Sequence, residues 1–351
     1  MTAMFIRLIS HTCEDAMKYR KFGNTDLTVS EIGFGMWPIG GTIKAGDYGV
    51  VDQSEAIKAI HRAMELGITL FDTAPAYGDG HGEEVLGEAL VGNRDASIIT
   101  TKCAVRWDHG TKSWITDSSK KSILASVEKS LSRLRTDYLD ILLIHVPDPY
   151  VVPSDAMAGF ESLQKSGKAR LVGVSNFTLD QIREYSNFGV LHAQQVGYNI
   201  FDRRIESEML PQCVDIGLGV MTFGALCHGL LSGAWSTETA FPEEDWRSKG
   251  DVFGLPLLTK DNFAKNIKVT ELLRGFAKES DHTLAQLALS WVLHNKKVSV
   301  ALAGMRSVAE VEENVKAADW QLSSADMSKL AEIMKNAAGT QGSSHYVVNE
   351  H

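Results

Sequence analysis

Along this 351-residue chain, short β-rich runs alternate with segments of helical spacing. No other feature constrains the fold as strongly, because such alternation favours parallel strands joined by crossover helices. The β-rich runs fall at 30–34, 68–72, 96–102, 141–145, 170–174, 193–196, 218–223 and 298–302. The first helical segment opens on Asp52-Gln53-Ser54-Glu55, in capping-box form. It places Ile57, Ile60 and Met64 at helical spacing and meets Gly67 where a C-terminal glycine belongs. Further helical segments are expected at 83–90, 119–134, 156–165, 179–188, 206–216 and 283–294. Eight strands with crossover helices predict an α/β fold, a closed (β/α)8 TIM barrel. A doubly wound open sheet would need a Gly-x-Gly-x-x-Gly turn straight after a strand. Gly33-Phe34-Gly35 begins one, but Pro38 holds its last position and no helical pattern opens there.

Ahead of the first strand, residues 18–28 read as a β-hairpin turning at Gly23-Asn24-Thr25-Asp26, placed to plug one end of the barrel. The long mixed stretch 224–262 carries Gly229, Gly233, Pro242 and Gly250, and loops of that length are often functional. Residues 1–16 read as a disordered extension without a secretory signal, 17–335 as a single barrel domain and 336–351 as a polar tail. A hydrophobic content of 44% supplies a large core. A net charge of −9 with no basic tract argues against nucleic-acid partners, and no apolar run is long enough to span a membrane. The four cysteines, Cys13, Cys103, Cys213 and Cys227, are scattered without zinc-site spacing, as expected for reduced thiols in a cytoplasmic protein.

Three apolar runs end on residues that carry chemistry: Asp72, Lys102 and His145; Tyr77 follows just beyond the first of them. Barrel enzymes place their chemistry at the C-terminal ends of strands, so these residues are expected to converge. A free phenol is a poor acid near neutral pH, and an adjacent ammonium stabilises phenolate. Lys102 would supply that cation, Asp72 would keep the lysine charged, and His145 would hydrogen-bond a substrate oxygen. Such a set suits carbonyl reduction with Tyr77 as general acid. No cluster of His, Asp and Glu suits a metal-dependent hydrolase, and no metal ligands are assigned.

The chain resembles the aldo-keto reductase superfamily over roughly residues 18–335. The resemblance rests on Phe71-Asp72-Thr73-Ala74-Pro75-Ala76-Tyr77-Gly78, Thr101-Lys102, Leu142-Leu143-Ile144-His145-Val146-Pro147-Asp148 and Gly173-Val174-Ser175-Asn176-Phe177. It rests also on Gln195-Val196-Gly197-Tyr198-Asn199, Gly229-Leu230-Leu231-Ser232-Gly233 and Glu313-Asn314. It implies a nicotinamide dinucleotide bound without a separate dinucleotide-binding domain, and the tetrad above as the catalytic set. By the same resemblance, Ser175, Asn176 and Gln195 would hold the nicotinamide carboxamide and Phe223 would stack on the ring. Gly224, Leu226, Gly229, Leu231 and Gly233 would line the pyrophosphate, with Arg247 reaching the same phosphates.

Gly304, Arg306, Ser307, Glu310, Glu313 and Asn314 would meet the adenosine end. Arg306 and Ser307 favour a 2′-phosphate and hence NADP(H). Glu310 stands where relatives often carry arginine or glutamine; it disfavours that phosphate and leaves NAD(H) possible. Trp37, Trp107, Val146 and Tyr150 are expected to wall the pocket of a small-molecule carbonyl or alcohol substrate. A regulatory, partner-binding role on the same fold, like that of potassium-channel β subunits, is the alternative reading. Substrate identity and oligomeric state are not legible.

Overall fold

The computed structural model describes residues 17–41, 48 and 51–342. The expected extension 1–16 and the end of the expected tail, 343–351, lie outside the described residues. The chain opens with β1 (Tyr19–Lys21) and β2 (Thr28–Ser30), paired antiparallel with Tyr19 opposite Ser30. The barrel begins at β3 (Ile32–Gly35) and continues through β4 (Leu70–Asp72) and β5 (Ile98–Cys103). A separate antiparallel hairpin, β6 (Val105–Asp108) and β7 (Ser113–Thr116), rises from the end of β5. The remaining barrel strands are β8 (Leu139–Ile144), β9 (Ala169–Ser175), β10 (Ala193–Gly197), β11 (Gly219–Phe223) and β12 (Val300–Gly304). All neighbours pair parallel, and β12 closes on β3 with Leu302 opposite Gly33.

Helices cross between the strands. The first, Gln53–Glu65, is capped by the Asp52 carboxylate, which accepts from the Ser54 and Glu55 backbone N–H groups. Others span His81–Ala89, Lys120–Leu134, Pro153–Lys165, Leu179–Ser186, Met209–Asp215 and Leu284–His294. Two features depart from the expected pattern. The β6–β7 hairpin lies between the strand expected at 96–102 and the helix expected at 119–134, where no element was expected. A 20-residue helix, Lys260–Glu279, fills the end of the stretch expected to be loop and continues past it. Its buried stripe includes Asn266 and Thr270 among apolar residues, so its hydrophobic periodicity is diluted.

Side-chain alternation sorts each strand between barrel interior and helical shell. Leu70, Ile141, Leu143, Ala193, Met221, Val300 and Leu302 form the interior cluster, whereas Phe71, Ile99 and Leu142 pack outward against the helices. The N-terminal hairpin closes this interior. Phe22 is 0% exposed within the same cluster as Val29, and a Cβ on Gly219 would lie 2.5 Å from its ring. Arg20 ties the hairpin to the barrel base by donating to Glu31, Val298 O and Leu293 O at 2.5–2.6 Å. Truncating a fully buried Phe leaves a cavity that costs about 3–5 kcal/mol. Phe22→Ala is therefore expected to lower the unfolding free energy by about that amount in urea titrations; an unchanged midpoint would show that the plug carries no stability.

Candidate active site

Alternation also carries the chemistry to one place. Leu70 and Asp72 share a side of β4, and Thr100 and Lys102 share a side of β5. His145 lies one residue past β8 on the side of Ile141 and Leu143, its N–H continuing the ladder to Cys103 O at 3.1 Å. Thr101, pointing the other way, donates from Oγ1 to buried Glu83 at 2.6 Å, and Glu83 is in turn paired with Arg133. That outward anchor fixes the rotation of β5 and hence the inward aim of Lys102.

Lys102 is 1% exposed. Its Nζ donates to Asp72 Oδ2 at 2.8 Å and Oδ1 at 3.0 Å, to Thr73 O at 3.0 Å and to Tyr77 Oη at 3.0 Å. Burial opposes the charge on this amine, but Asp72 and then Tyr77 outweigh it and hold the pKa above the ordinary lysine value. Burial likewise raises the Asp72 carboxyl, against the pull of Lys102 and Gln195. For Tyr77 the balance corrects the expectation of a lowered phenol pKa. Burial pushes the phenol up by more than Lys102 pulls it down, and Asp72 adds to the rise. The phenol is thus firmly protonated before any reaction. His145 meets Tyr77 edge to face, with centroids 6.0 Å apart. Burial, then Lys102, pushes its imidazole down to about 3, so it is neutral at physiological pH.

The Tyr77 turn requires close backbone approach. Gly78 has φ +63°, and a Cβ there would lie 1.6 Å from Gly40 O. This contact presses the one-turn helix Trp37–Gly40 onto the turn, so that Trp37 lies nearly parallel to Tyr77 (16°, centroids 6.1 Å).

Asn176 sits at φ +64°, a conformation asparagine tolerates. Its Nδ2 donates to His145 O at 3.1 Å and Ser175 Oγ at 3.2 Å, while its buried Oδ1 has no partner among the described residues. An orphaned acceptor beside the Ser175 hydroxyl fits the N–H of a planar carboxamide. Gln195 donates from Nε2 to Asp72 Oδ1 at 2.7 Å, so only its Oε1 is left to meet a carboxamide. Phe223, at the end of β11, lies 5.8 Å from Phe253 and 6.4 Å from His228, ring to ring.

Gly224, Gly229 and Gly233 all have positive φ. Leu226 is half-buried, and Leu231 is a core residue whose N–H is taken by Leu226 O. Arg247 is likewise committed elsewhere. Its guanidinium chelates Asp245 at 2.5–3.1 Å and donates to His228 O at 3.3 Å. At the far end of the strip, Ser307 caps helix Val308–Val315. Glu310 accepts from the Arg306 backbone N–H at 2.7 Å and from its guanidinium at 3.0 Å, with side chains 35% and 48% exposed. Gly304 packs against Pro38, Glu313 O accepts from Gln286, and Asn314 is buried.

Of the expected pocket walls, Trp37 faces the tetrad and Val146 is half-buried beside it in sequence. Trp107 packs on Trp114 across the β6–β7 hairpin. Tyr150 is 88% exposed. Sequence reasoning missed Tyr48, His228, Trp246 and Phe253, which join Trp37, Tyr77 and Phe223 in one connected aromatic cluster. The only signal for the last three was their place in the long 224–262 stretch.

The model of the Aldo/keto reductase family matches residues 31–335. Aldo-keto reductase YhdN of Bacillus subtilis is 34% identical over 323 residues, covering 91% of this chain and 94% of its own. NADH-specific methylglyoxal reductase of Escherichia coli is 33% identical, covering 90% and 98%. Among solved structures, glycerol dehydrogenase AKR11B4 from Gluconobacter oxydans has a TM-score of 0.82 at 30% identity, covering 93% and 97%. An aldo/keto reductase from Klebsiella pneumoniae in complex with NADP and acetate has a TM-score of 0.67 at 25% identity, covering 91% and 95%.

His228 is 7% exposed, and burial, then Arg247, lowers its pKa from 6.5 to about 3. The unfolded chain therefore takes up this proton first, and stability falls as pH drops from about 6.5 towards about 3. The loss approaches roughly 1.4 kcal/mol per pH unit for each such histidine. His228→Phe is expected to flatten the fall in unfolding free energy between pH 6.5 and 4.5, measured by urea titration. Equal slopes in variant and parent would show that His228 is not a source of it.

Proposed function

Because the chain belongs to the aldo/keto reductase family, we propose that it is an NAD(P)(H)-dependent oxidoreductase interconverting an aldehyde or ketone with the corresponding alcohol. The observation that carries this reading is the position of Lys102 Nζ, at once 2.8 Å from the Asp72 carboxylate and 3.0 Å from the Tyr77 hydroxyl. In the reductive direction Tyr77 Oη gives its proton to the carbonyl oxygen as negative charge develops there. Lys102 then stabilises the phenolate left behind, and Asp72 keeps Lys102 charged throughout. His145, neutral, hydrogen-bonds the substrate oxygen and orients it towards Tyr77. The dinucleotide, when bound, supplies the hydride. Oxidation of an alcohol runs the same proton path in reverse.

Asn176 Oδ1 and Ser175 Oγ would hold the carboxamide, with Phe223 against the ring and the positive-φ glycines 224, 229 and 233 along the pyrophosphate. NADP(H) is the favoured cofactor. Arg306 next to a helix N-terminus suits a 2′-phosphate, and its exposed pair with Glu310 is of a kind worth only about 0–1 kcal/mol, so it can open. NAD(H) remains accessible through Glu310, which can accept from a 2′-hydroxyl. The named specificity of the Escherichia coli relative for NADH and the NADP complex of the Klebsiella pneumoniae protein bracket this choice. We read residues 17–335 as one catalytic barrel acting on small molecules in the cytoplasm, without nucleic-acid or membrane partners.

Tyr77→Phe is expected to cut turnover by about 10²–10⁴-fold, the usual worth of general acid catalysis, with cofactor Kd unchanged. Turnover like that of the parent would remove Tyr77 from the acid role. Lys102→Met should lose at least as much. In the parent, kcat/KM for reduction should stay level as pH rises towards the ordinary tyrosine value of 10.0, because the phenol lies above it. An alkaline fall centred near pH 7 would contradict a protonated Tyr77 as the donor.

A further inference from the structure

Trp246 opens the short 3-10 turn Trp246–Lys249 within the long strap after β11. Its indole Nε1 is buried and has no hydrogen-bond partner among the described residues. An indole N–H can only donate, and a buried donor without an acceptor is unfavourable. The side-chain acceptors of Asp245, next to Trp246 in sequence, and of His228, packed against its ring, are already used. Both Asp245 carboxylate oxygens are engaged by the Arg247 guanidinium, and Asp245 Oδ1 also accepts the Arg247 N–H. His228 Nδ1 is paired with the Tyr48 hydroxyl at 3.1 Å. The remaining ring neighbours are aromatic faces and edges: Trp37 at 6.3 Å, Phe253 at 5.7 Å and the His228 ring at 5.4 Å.

The location of this donor is specific. Trp246 is nearly parallel to Trp37 (11°), and Trp37 is nearly parallel to Tyr77 (16°), so three aromatic planes stack outward from the phenol. Ser175 and Asn176, the groups suited to a carboxamide, are joined to each other and to His145 O through Asn176 Nδ2, not to Trp246. The Asp245–Arg247 chelate, with Arg247 lying over the rings of Tyr48, Trp235 and Phe241, holds the strap in place. Trp246 is therefore pre-positioned rather than free to turn its N–H to solvent.

From this geometry we infer that Trp246 is a specificity residue: its indole N–H donates to an acceptor oxygen carried by the carbonyl substrate beyond the reacting carbon. The matching substrate class is an aldehyde or ketone with a second, neutral oxygen function, such as an ether, hydroxyl or carbonyl, on a body flat or apolar enough to lie against Trp37. The inference rests on the reductase reading above.

The test compares benzyloxyacetaldehyde with 4-phenylbutanal, which differ by oxygen against methylene at one position, in the parent and in Trp246→Phe. The variant keeps an aromatic ring and removes the N–H. Loss of a neutral hydrogen bond should raise KM for benzyloxyacetaldehyde by about tenfold with kcat nearly constant, while KM for 4-phenylbutanal moves by less than about twofold. Equal changes for both aldehydes, or none for either, would overturn the assignment while leaving carbonyl turnover, and so the reductase reading, intact. Cofactor Kd, followed by quenching of protein fluorescence, is the second readout. A weakened Kd with both KM values unmoved would assign the donor to the dinucleotide and overturn the inference.

Discussion

The buried pair of Asp72 and Lys102 is the constraint around which the barrel mouth is built. An ammonium and a carboxylate this deep in a protein are tolerable only with each other and with further hydrogen bonds, because removing either leaves an uncompensated buried charge. Thr73 O and Gln195 Nε2 complete the set. Both charges project from neighbouring strands of a closed sheet, so neither can withdraw without opening the ladder. The pair is therefore rigid, and the phenol of Tyr77 meets a cation whose position is already determined.

That arrangement separates two effects often merged. Lys102 does not make Tyr77 a strong acid in the resting protein, because burial dominates and keeps the phenol protonated. In the proposed reduction its contribution would come when the proton leaves, since the same ammonium would then face an anion. On that proposal, burial would preserve the acid and the cation would stabilise its conjugate base. The neutral imidazole of His145 complements this, offering hydrogen bonding without competing charge next to Lys102.

The strap following β11 completes the site by different means. Its order comes from the Asp245–Arg247 chelate, from aromatic packing on Trp37 and from an isolated antiparallel bridge between Val252 and Leu255, not from a strand of the barrel. Arg247, expected to reach phosphate, is consumed in holding the strap together. Arg306 shows the same effect more weakly, since Glu310, one helical turn on, occupies its guanidinium at the surface. A cation is easily recognised in a sequence, but whether it is free depends on which carboxylate folds against it.

Much of the architecture was legible before any coordinates. Strand periodicity and caps such as Asp52 are local properties, and Asp72, Lys102 and His145 stand out because each ends an apolar run whose alternation dictates an inward aim. The β6–β7 hairpin was less visible, being only four residues a strand, with Lys112 rather than glycine taking a positive φ in its turn. The helix Lys260–Glu279 was obscured because buried Asn266, bonded to Leu257 O and Ala338 O, interrupts its apolar stripe. Tertiary structure alone decided the commitment of Gln195 to Asp72, the orphaned acceptor of Asn176, the exposure of Tyr150 and the gathering of Tyr48, His228, Trp246 and Phe253 around Trp37. Backbone patterning acts between residues a few positions apart and is written in their order. Burial, charge pairing and the net direction of a pKa arise from through-space neighbours that closure of the barrel brings together.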